Sequence, residues 1–140
     1  MDECVFCEIS KKKLPAEIIY EDDLIMCIMD CDPVNDGHVL LITRAHRLDI
    51  DELTDEESNR IMKVSKIIYK VLKETYDFDG YTIMQNGGMF NDVGHYHMHF
   101  FPRYKNDGFK WIWPDIKPKN IAEEGKILRT KIDKILEDIR

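Results

Sequence analysis

Residues 95–101 read His-Tyr-His-Met-His-Phe-Phe, so three of the five histidines of this 140-residue chain lie in one short segment. Side chains of a β-strand alternate between its two faces, and His95, His97 and His99 therefore share one face. The residues between them are apolar or aromatic and point to the other face, into a core. The pattern predicts a strand that ends at Pro102 and carries three imidazoles on one side.

Hydrophobic runs on both sides of this segment predict the other elements. Two apolar runs are separated by an acidic pair at 22–23, which is typical of a hairpin. Thr54 and Glu57 have the spacing of a capping box and predict the start of a helix. Its expected buried face comprises Ile61, Val64, Ile67 or Ile68, Val71 and Leu72. The full set is a short helix or turn at 4–14, strands at 17–21, 24–29, 38–43, 81–84 and 95–101, and helices at about 55–75 and 120–140.

The order of these elements indicates the fold class. Strands that are not joined in βαβ units favour an antiparallel sheet with helices packed against it, which is an α+β domain. A chain of 140 residues suits one hydrophobic core, and no repeat or linker divides the sequence. We therefore expect a single domain over residues 1–140, with a core at about 4–104 and a C-terminal extension.

Composition and charge argue against several classes of partner. The net charge is -7, so the chain lacks the excess of positive charge that binds the phosphates of DNA or RNA. No stretch approaches the roughly 20 apolar residues that span a bilayer, and the N-terminal residues lack the apolar run of a signal peptide. We expect a cytoplasmic protein with neither a membrane nor a nucleic acid as partner. Backbone amides and imidazoles can still bind a small anion.

Three imidazoles on one strand face allow three interpretations. A neutral imidazole is a good nucleophile toward phosphorus near neutral pH, provided that its second nitrogen donates a hydrogen bond that fixes the tautomer. Three histidines can instead bind one catalytic metal ion. They can also be incidental residues on a solvated strand.

The segment His95–Phe101 resembles the signature His-φ-His-φ-His-φ-φ, where φ is apolar, of the histidine triad (HIT) superfamily. Further segments occur in the order and spacing of that family, and the resemblance covers about residues 4–104. These segments are Cys-Val-Phe-Cys-Glu-Ile at 4–9, Ile-Ile-Tyr-Glu-Asp-Asp at 18–23, Met-Asp at 29–30 with Pro33, Gly-His-Val-Leu-Leu-Ile at 37–42, and the residues around His46.

The resemblance implies a fold and a chemistry. The expected fold is an antiparallel five-stranded sheet with helices packed on it and a C-terminal helix. His97 matches the histidine that forms a covalent nucleotidyl intermediate, His99 matches a histidine near the phosphate, and His38 matches one that stands behind the triad. The implied enzyme is a homodimeric nucleotide hydrolase or transferase, acting on a purine nucleoside phosphoramidate or a dinucleoside polyphosphate.

The resemblance also implies a nucleotide pocket. Asp30 matches the carboxylate that holds the ribose hydroxyls, and this position favours the phosphoramidate branch of the family. Ile28 and Phe6 match the lining of a base pocket for an AMP-like or GMP-like ligand, and Gln85 matches an amide near the ribose and the scissile phosphate. The remaining candidate binding residues are Asn91, Asp92 and Val93.

One short segment departs from the family pattern. Many relatives have Gly-Gln-Ser/Thr-Val before the residue that precedes the first histidine, whereas residues 90–94 here read Phe-Asn-Asp-Val-Gly. Asp92 thus replaces a hydroxyl that donates toward the leaving group. A carboxylate beside phosphates is repulsive unless it is protonated or turned away. Gly94 is expected to offer a backbone amide in compensation.

Cys4 and Cys7 have the spacing of a zinc half-site, although a redox motif or plain helix cysteines remain alternatives. In some members of the family two histidines complete a tetrahedral site, and those positions are His46 and His95 here. The resemblance therefore implies structural zinc. Cys27 and Cys31 are expected to be buried thiols.

Two other features leave alternatives open. Trp111 and Trp113 either cap the core or lie near the active site of a partner subunit. The whole chain is either an enzyme or a nucleotide-binding and interaction module that has kept the pocket without useful catalysis, an alternative that Asp92 favours.

Overall fold

The structure is a computed structural model that describes residues 4–116 and 120–140. The chain forms two compact units, of which the first ends at Phe109 and the second runs from Lys110 to Arg140. The expectation of one domain over residues 1–140 stays a prediction.

The first unit contains a five-stranded antiparallel sheet and two α-helices, as predicted. The strand order is β1-β2-β3-β5-β4, and every neighbouring pair is antiparallel. Two single-turn 3-10 helices lie at Ile50–Glu52 and Gly88–Phe90. The other elements are α1 (Val5–Ser10), β1 (Ile18–Glu21), β2 (Ile25–Met29), β3 (Val39–Thr43), α2 (Asp55–Thr75), β4 (Gly80–Met84) and β5 (His97–Arg103).

Strand β5 carries the histidine segment and lies between β3 and β4. It begins at His97, two residues later than predicted, and continues through Pro102 to Arg103. The last residue of β5 that pairs with β3 is Phe100, opposite Val39. Pro102 lies beyond this pair, so its missing amide hydrogen removes no bond to β3.

The two faces of the sheet have separate cores, and β5 contributes Met98 and Phe100 to one of them. Met98 and Phe100 pack with the buried face of α2, while Phe6 and Ile9 of α1 pack on the opposite face. On α2 the buried apolar residues are Ile61, Val64, Ile68 and Leu72. Ile67 and Val71, which were possible members of this face, are about half exposed because Ile68 and Leu72 occupy the contact.

The N-terminus of α2 is tied to the loop that precedes β5. The capping box is present: the Thr54 hydroxyl accepts from the Glu57 amide at 3.1 Å, and the Glu57 carboxylate accepts from the Thr54 amide at 2.9 Å. The same buried carboxylate accepts hydrogen bonds from Arg47 Nε and Nη2 at 3.1 Å each. The Arg47 carbonyl in turn accepts from the Tyr96 amide at 2.7 Å, so Glu57 anchors the chain beside the histidine segment.

The second unit contains the helix α3 (Ile121–Ile139), which confirms the predicted C-terminal helix. The Asn120 side chain caps it by accepting from the Glu123 amide at 3.2 Å. Its apolar stripe is exposed, as are the side chains of Trp111 and Trp113. Over the described residues, no helix is both long and apolar enough to cross a membrane.

We predict that Glu57→Ala destabilises the protein by about 2 kcal/mol or more, because it removes a cap and leaves Arg47 without its buried partner. Thr54→Ala removes one cap bond only and should cost about 1 kcal/mol. Urea unfolding followed by circular dichroism measures both. Glu56→Ala, at an exposed position in the same helical turn, is the matched control. A Glu57→Ala effect no larger than that of the control would contradict the anchoring role.

Candidate active site and metal centre

A cavity of about 810 Å³ opens on the sheet face that α1 covers. This volume lies within the range of about 300–1,000 Å³ that is typical of small-molecule sites. Residues from α1, β2 and the end of the loop before β5 line it. Seven of the site residues predicted from the sequence are among them: Phe6, Ile28, Asp30, Asp92, Val93, His97 and His99.

One ring nitrogen of His97 is hydrogen-bonded to the backbone, and the other is directed to the cavity. Its Nδ1 lies 2.8 Å from the His95 carbonyl oxygen. A carbonyl only accepts hydrogen bonds, so Nδ1 carries the proton and Nε2 keeps a free lone pair. The ring is buried and lies edge-on to Phe6, with 5.1 Å between ring centroids. This is the arrangement that a nucleophilic imidazole needs.

His38 lies behind His99 and fixes its tautomer. The Val34 amide donates to His38 Nδ1 at 3.0 Å, and burial lowers the pKa of His38, so the neutral ring carries its proton on Nε2. His38 Nε2 then donates to His99 Nδ1 at 2.9 Å. His99 is left with its proton on Nε2. Burial and the neighbouring rings of His97 and His38 lower the pKa of His99 to about 4, so it is a neutral hydrogen-bond donor at pH 7.

Gly37 places His38 behind the site. Its φ of +86° lies in the left-handed region, and a Cβ there would come within 2.8 Å of the Tyr76 ring. Glycine alone suits this position for both reasons.

Asp30 lies at the end of β2 with one oxygen held locally. Its Oδ1 accepts from the Asp32 amide at 2.9 Å. Its Oδ2 lies 3.4 Å from His38 Nε2 and 3.7 Å from His99 Nδ1. The carboxylate lines the cavity and is mostly buried, so one oxygen is available to accept from a ligand hydroxyl.

Gln85 and Asn91, two predicted binding residues, are not among the described residues that line the cavity. The Gln85 side chain donates to the Asn86 carbonyl at 2.9 Å. Asn91 Oδ1 accepts from the amides of Val93 and Gly94 at 3.2 and 3.0 Å. The Gly94 amide is therefore already bonded within the loop, which differs from its expected role as a free donor. A binding role for Gln85 and Asn91 stays a prediction.

Asp92 faces His97. Its Oδ1 lies 3.7 Å from His97 Nε2, and 86% of its side chain is exposed. The carboxylate is thus at the solvent side of the cavity and is not turned away from it.

Cys4, Cys7, His46 and His95 meet in one cluster, with their ligand atoms within 4.8 Å of one another. The Sγ of Cys4 and the Sγ of Cys7 lie 3.3 and 3.6 Å from His95 Nδ1, and Cys7 Sγ lies 3.3 Å from His46 Nδ1. Zn–S bonds of about 2.3 Å and Zn–N bonds of about 2.0 Å in a tetrahedron place S and N about 3.5 Å apart. The four residues therefore fit a tetrahedral zinc ion.

The orientation of His95 matches that of a metal ligand. Its Nε2 donates to the Thr43 carbonyl at 2.7 Å, so the lone pair is on Nδ1, the atom that faces the sulfurs. The ring is fully buried, and burial lowers its pKa. Because His95 faces the cysteines while His97 and His99 line the cavity, the three histidines do not converge on one ion. This arrangement contradicts the interpretation of a three-histidine catalytic metal.

The other two cysteines differ from each other. Cys27 is fully buried, as predicted, and burial raises its pKa to about 12. The prediction for Cys31 is wrong: the residue is exposed, because it follows β2 in the loop at the cavity edge.

Sequence reasoning missed the backbone groups that orient the rings. Val34 contributes its amide and Thr43 its carbonyl, and such contacts carry no signature in residue type. The α1 residues Val5 and Ile9 also line the cavity. The spacing of apolar residues in 4–9 contained a signal for this helix face.

Comparison with known proteins identifies relatives of this chain. The family pattern described as HIT domain matches residues 11–106. An uncharacterized HIT-like protein of Methanocaldococcus jannaschii is 32% identical over 139 residues, which are 98% of each chain. An adenosine 5′-monophosphoramidase of Schizosaccharomyces pombe is 30% identical over 134 residues, covering 92% of this chain and 98% of that protein.

Solved structures show the same fold. The crystal structure of a Zn-bound histidine triad family protein from Mycobacterium smegmatis aligns with a TM-score of 0.70 and 29% identity, over 97% of each chain.

We predict that His99 makes stability fall in acid. The pKa of His99 is lower in the folded protein than the unperturbed value of about 6.5, so the unfolded chain binds this proton first as the pH falls. The contribution of His99 to the free energy of unfolding is complete above about pH 6.5 and is lost as the pH falls toward 4. Between pH 7 and 4.5, the free energy of unfolding of wild type should fall by about 2 kcal/mol more than that of His99→Asn.

Urea unfolding at both pH values measures this difference. The two proteins share all other histidines, so the contributions of those that do not contact His99 cancel, and the difference reports His99 together with its contacts to His38 and His97. Between pH 7 and 8 the two proteins should show the same change. Equal acid sensitivity of wild type and variant would refute the buried neutral state of His99.

Proposed function

Because this chain belongs to the HIT domain family, we propose that it hydrolyses or transfers a nucleoside monophosphate group by way of a covalent intermediate on His97. The observation that supports this most directly is the free Nε2 of a buried imidazole whose other nitrogen donates to a carbonyl. The expected substrates have a purine base and a reactive α-phosphate.

In the first step, His97 Nε2 attacks the α-phosphorus and the bond to the leaving group breaks with its electron pair. His99 Nε2–H is placed to donate to a phosphate oxygen, because its Nδ1 is occupied by His38. A hydrogen bond to an oxygen that gains charge in the transition state lowers the barrier.

In the second step, water attacks the same phosphorus and the bond to His97 breaks. The water loses a proton, the nucleoside monophosphate departs, and the imidazole returns to its neutral form. An alcohol or amine in place of water gives transfer instead of hydrolysis.

Asp30, Ile28 and Phe6 are proposed to bind the nucleoside. Asp30 lines the cavity and its carboxylate can accept from ribose hydroxyls, while the two apolar side chains suit a base. The Schizosaccharomyces pombe relative is named an adenosine 5′-monophosphoramidase, which supports a nucleoside phosphoramidate as the substrate class. A dinucleoside polyphosphate is the second candidate.

Structural zinc at Cys4, Cys7, His46 and His95 is part of the proposal. When bound, the ion would be held by all four residues and would link α1 to the start of the histidine segment. A fully coordinated ion leaves no position for a reacting water. Its expected role is therefore in stability.

Two further predictions concern the oligomeric state and the cellular location of the protein. A homodimer is expected from the resemblance, and it is supported by the edge strand β4, where Tyr81 and Ile83 are exposed beside Met62. Sedimentation velocity measures it directly. A cytoplasmic location stays a prediction from the sequence.

A nucleotide-binding module with little catalysis is the second candidate function. The nearness of the Asp92 carboxylate to His97 Nε2 favours it, because a negative charge opposes the approach of a phosphate. Such a protein would bind AMP in calorimetry and turn over no nucleotide ester.

We predict that His97→Ala lowers turnover of adenosine 5′-phosphoramidate by roughly a thousandfold or more, because the nucleophile is lost. Release of AMP, followed by chromatography, measures turnover, and circular dichroism confirms folding. Wild type quenched at alkaline pH should gain the mass of one adenylyl group on His97. His99→Asn is the control, since it should still form this adduct. Retained activity in His97→Ala would rule out the assignment.

We predict one zinc ion per chain in the purified protein, lost in the double variant Cys4→Ser/Cys7→Ser. Elemental analysis measures the metal, and the variant should melt at least about 5 °C lower. Cys31→Ser, at an exposed cysteine outside the cluster, is the control and should keep the metal. Chelated protein that remains folded should keep its activity. Activity that depends on the metal in folded protein would contradict a structural role.

A further inference from the structure

The cavity that is proposed to bind a nucleotide is lined by acidic residues. Of the described residues that line it, none is Lys or Arg, and the carboxylates are Glu17, Asp30, Asp32 and Asp92. The imidazole of His99 is neutral at pH 7, because burial lowers its pKa. Each negative charge that a substrate carries into this cavity is therefore opposed by these carboxylates, and no lining Lys or Arg compensates it.

Asp92 is the carboxylate closest to the proposed reaction. Among the described residues, the only basic side chain within 4 Å of it is His97, at 3.7 Å from Nε2. Hydrogen bonds hold the backbone on both sides of Asp92: Asn91 Oδ1 accepts from the Val93 and Gly94 amides, and Asn91 Nδ2 donates to the Leu48 carbonyl at 3.3 Å. These bonds fix the position of the Asp92 backbone beside His97.

The geometry of attack places the leaving group in reach of this charge. A phosphorus attacked by His97 Nε2 holds its leaving atom about two bond lengths from that nitrogen. A carboxylate oxygen 3.7 Å from Nε2 is then at most about 7 Å from the leaving atom, and roughly 5 Å from it where the two directions from Nε2 are perpendicular. A unit charge at that distance, largely in water, changes a rate by roughly fivefold.

The two candidate substrate classes differ in the charge of the leaving group. In a phosphoramidate, the P–N bond breaks with its electron pair on nitrogen, the nitrogen takes a proton from solvent water, and the group departs as an amine that solvent protonates further to an ammonium ion. In a phosphosulfate or polyphosphate, the P–O bond breaks and the group departs with additional negative charge. A nearby carboxylate stabilises the first product and opposes the second.

We propose that Asp92 is a specificity-determining residue that selects amine leaving groups and rejects anionic ones. This inference rests on the proposed function of the cavity and narrows its substrate class to nucleoside phosphoramidates. It also explains how an acidic cavity without cations can accept a nucleotide, since a phosphoramidate brings a single negative charge.

The test compares kcat/KM for two substrates that share the adenosine 5′-phosphoryl group, namely adenosine 5′-phosphoramidate and adenosine 5′-phosphosulfate. In Asp92→Asn, the phosphosulfate rate should rise at least about fivefold relative to the phosphoramidate rate. Asp92→Glu keeps the charge and should keep the wild-type ratio within about twofold. The shift should shrink in 1 M salt, because an exposed charge is screened.

Asp32→Asn is the matched control, because it removes the same charge from an exposed residue of the same cavity, without contact with His97. Its substrate ratio should shift by less than about twofold. An unchanged ratio in Asp92→Asn overturns the inference. An equal shift in Asp32→Asn also overturns it, since net charge alone would then explain the effect.

A binding measurement separates this inference from the proposed function. If wild type turns over neither substrate, the enzymatic proposal fails, and calorimetry with AMP and ADP decides the role of Asp92. Asp92→Asn should then tighten ADP roughly fivefold relative to AMP, because ADP extends a further anionic group past the α-phosphate. Equal effects on AMP and ADP overturn the inference whatever the outcome of the kinetics.

Discussion

The hydrogen bond from His97 Nδ1 to the His95 carbonyl determines what the site can do. Without it, the ring could carry its proton on either nitrogen, and the lone pair would face the cavity only part of the time. The other rings are constrained in the same way: Val34 and Thr43 orient His38 and His95 through backbone groups. In the proposed reaction these fixed hydrogen bonds divide the chemistry, because His97 Nε2 is left to attack phosphorus and His99 Nε2–H is left to donate to a phosphate oxygen.

His95 connects the cluster of Cys4, Cys7 and His46 with His97, which lines the cavity. Its carbonyl orients the His97 ring, while its own ring faces Cys4 and Cys7. A metal at the cluster would therefore hold the same backbone segment that orients His97. The Glu57 carboxylate anchors the other side through Arg47, whose carbonyl accepts from the Tyr96 amide. The start of β5 is thus fixed from two directions before any ligand binds.

Local patterns in the sequence were sufficient for most of the fold. Alternation along 95–101 placed the histidines on one face, and the Thr54–Glu57 spacing located the helix start, because both are properties of neighbouring residues. Contacts between segments that are distant in the sequence could not be predicted from local patterns. The start of β5 depends on its pairing with β3. The exposure of Cys31 depends on the course of the loop after β2, and the position of the Asp92 backbone depends on bonds made by Asn91. The expected position of His38 behind the triad came from resemblance alone.

An acidic cavity has a consequence for the end of the proposed reaction as well as its start. A phosphoramidate carries one negative charge at the α-phosphate, whereas a nucleoside monophosphate at pH 7 carries nearly two, since its second pKa is about 6. In the proposed reaction, the carboxylates would oppose the doubly charged product more strongly than the singly charged substrate. The neutral imidazole of His99 adds no attraction that would reverse this difference. The proposed charge discrimination would therefore also favour release of the product, so weak binding of AMP is consistent with an enzyme and is not by itself a sign of lost function.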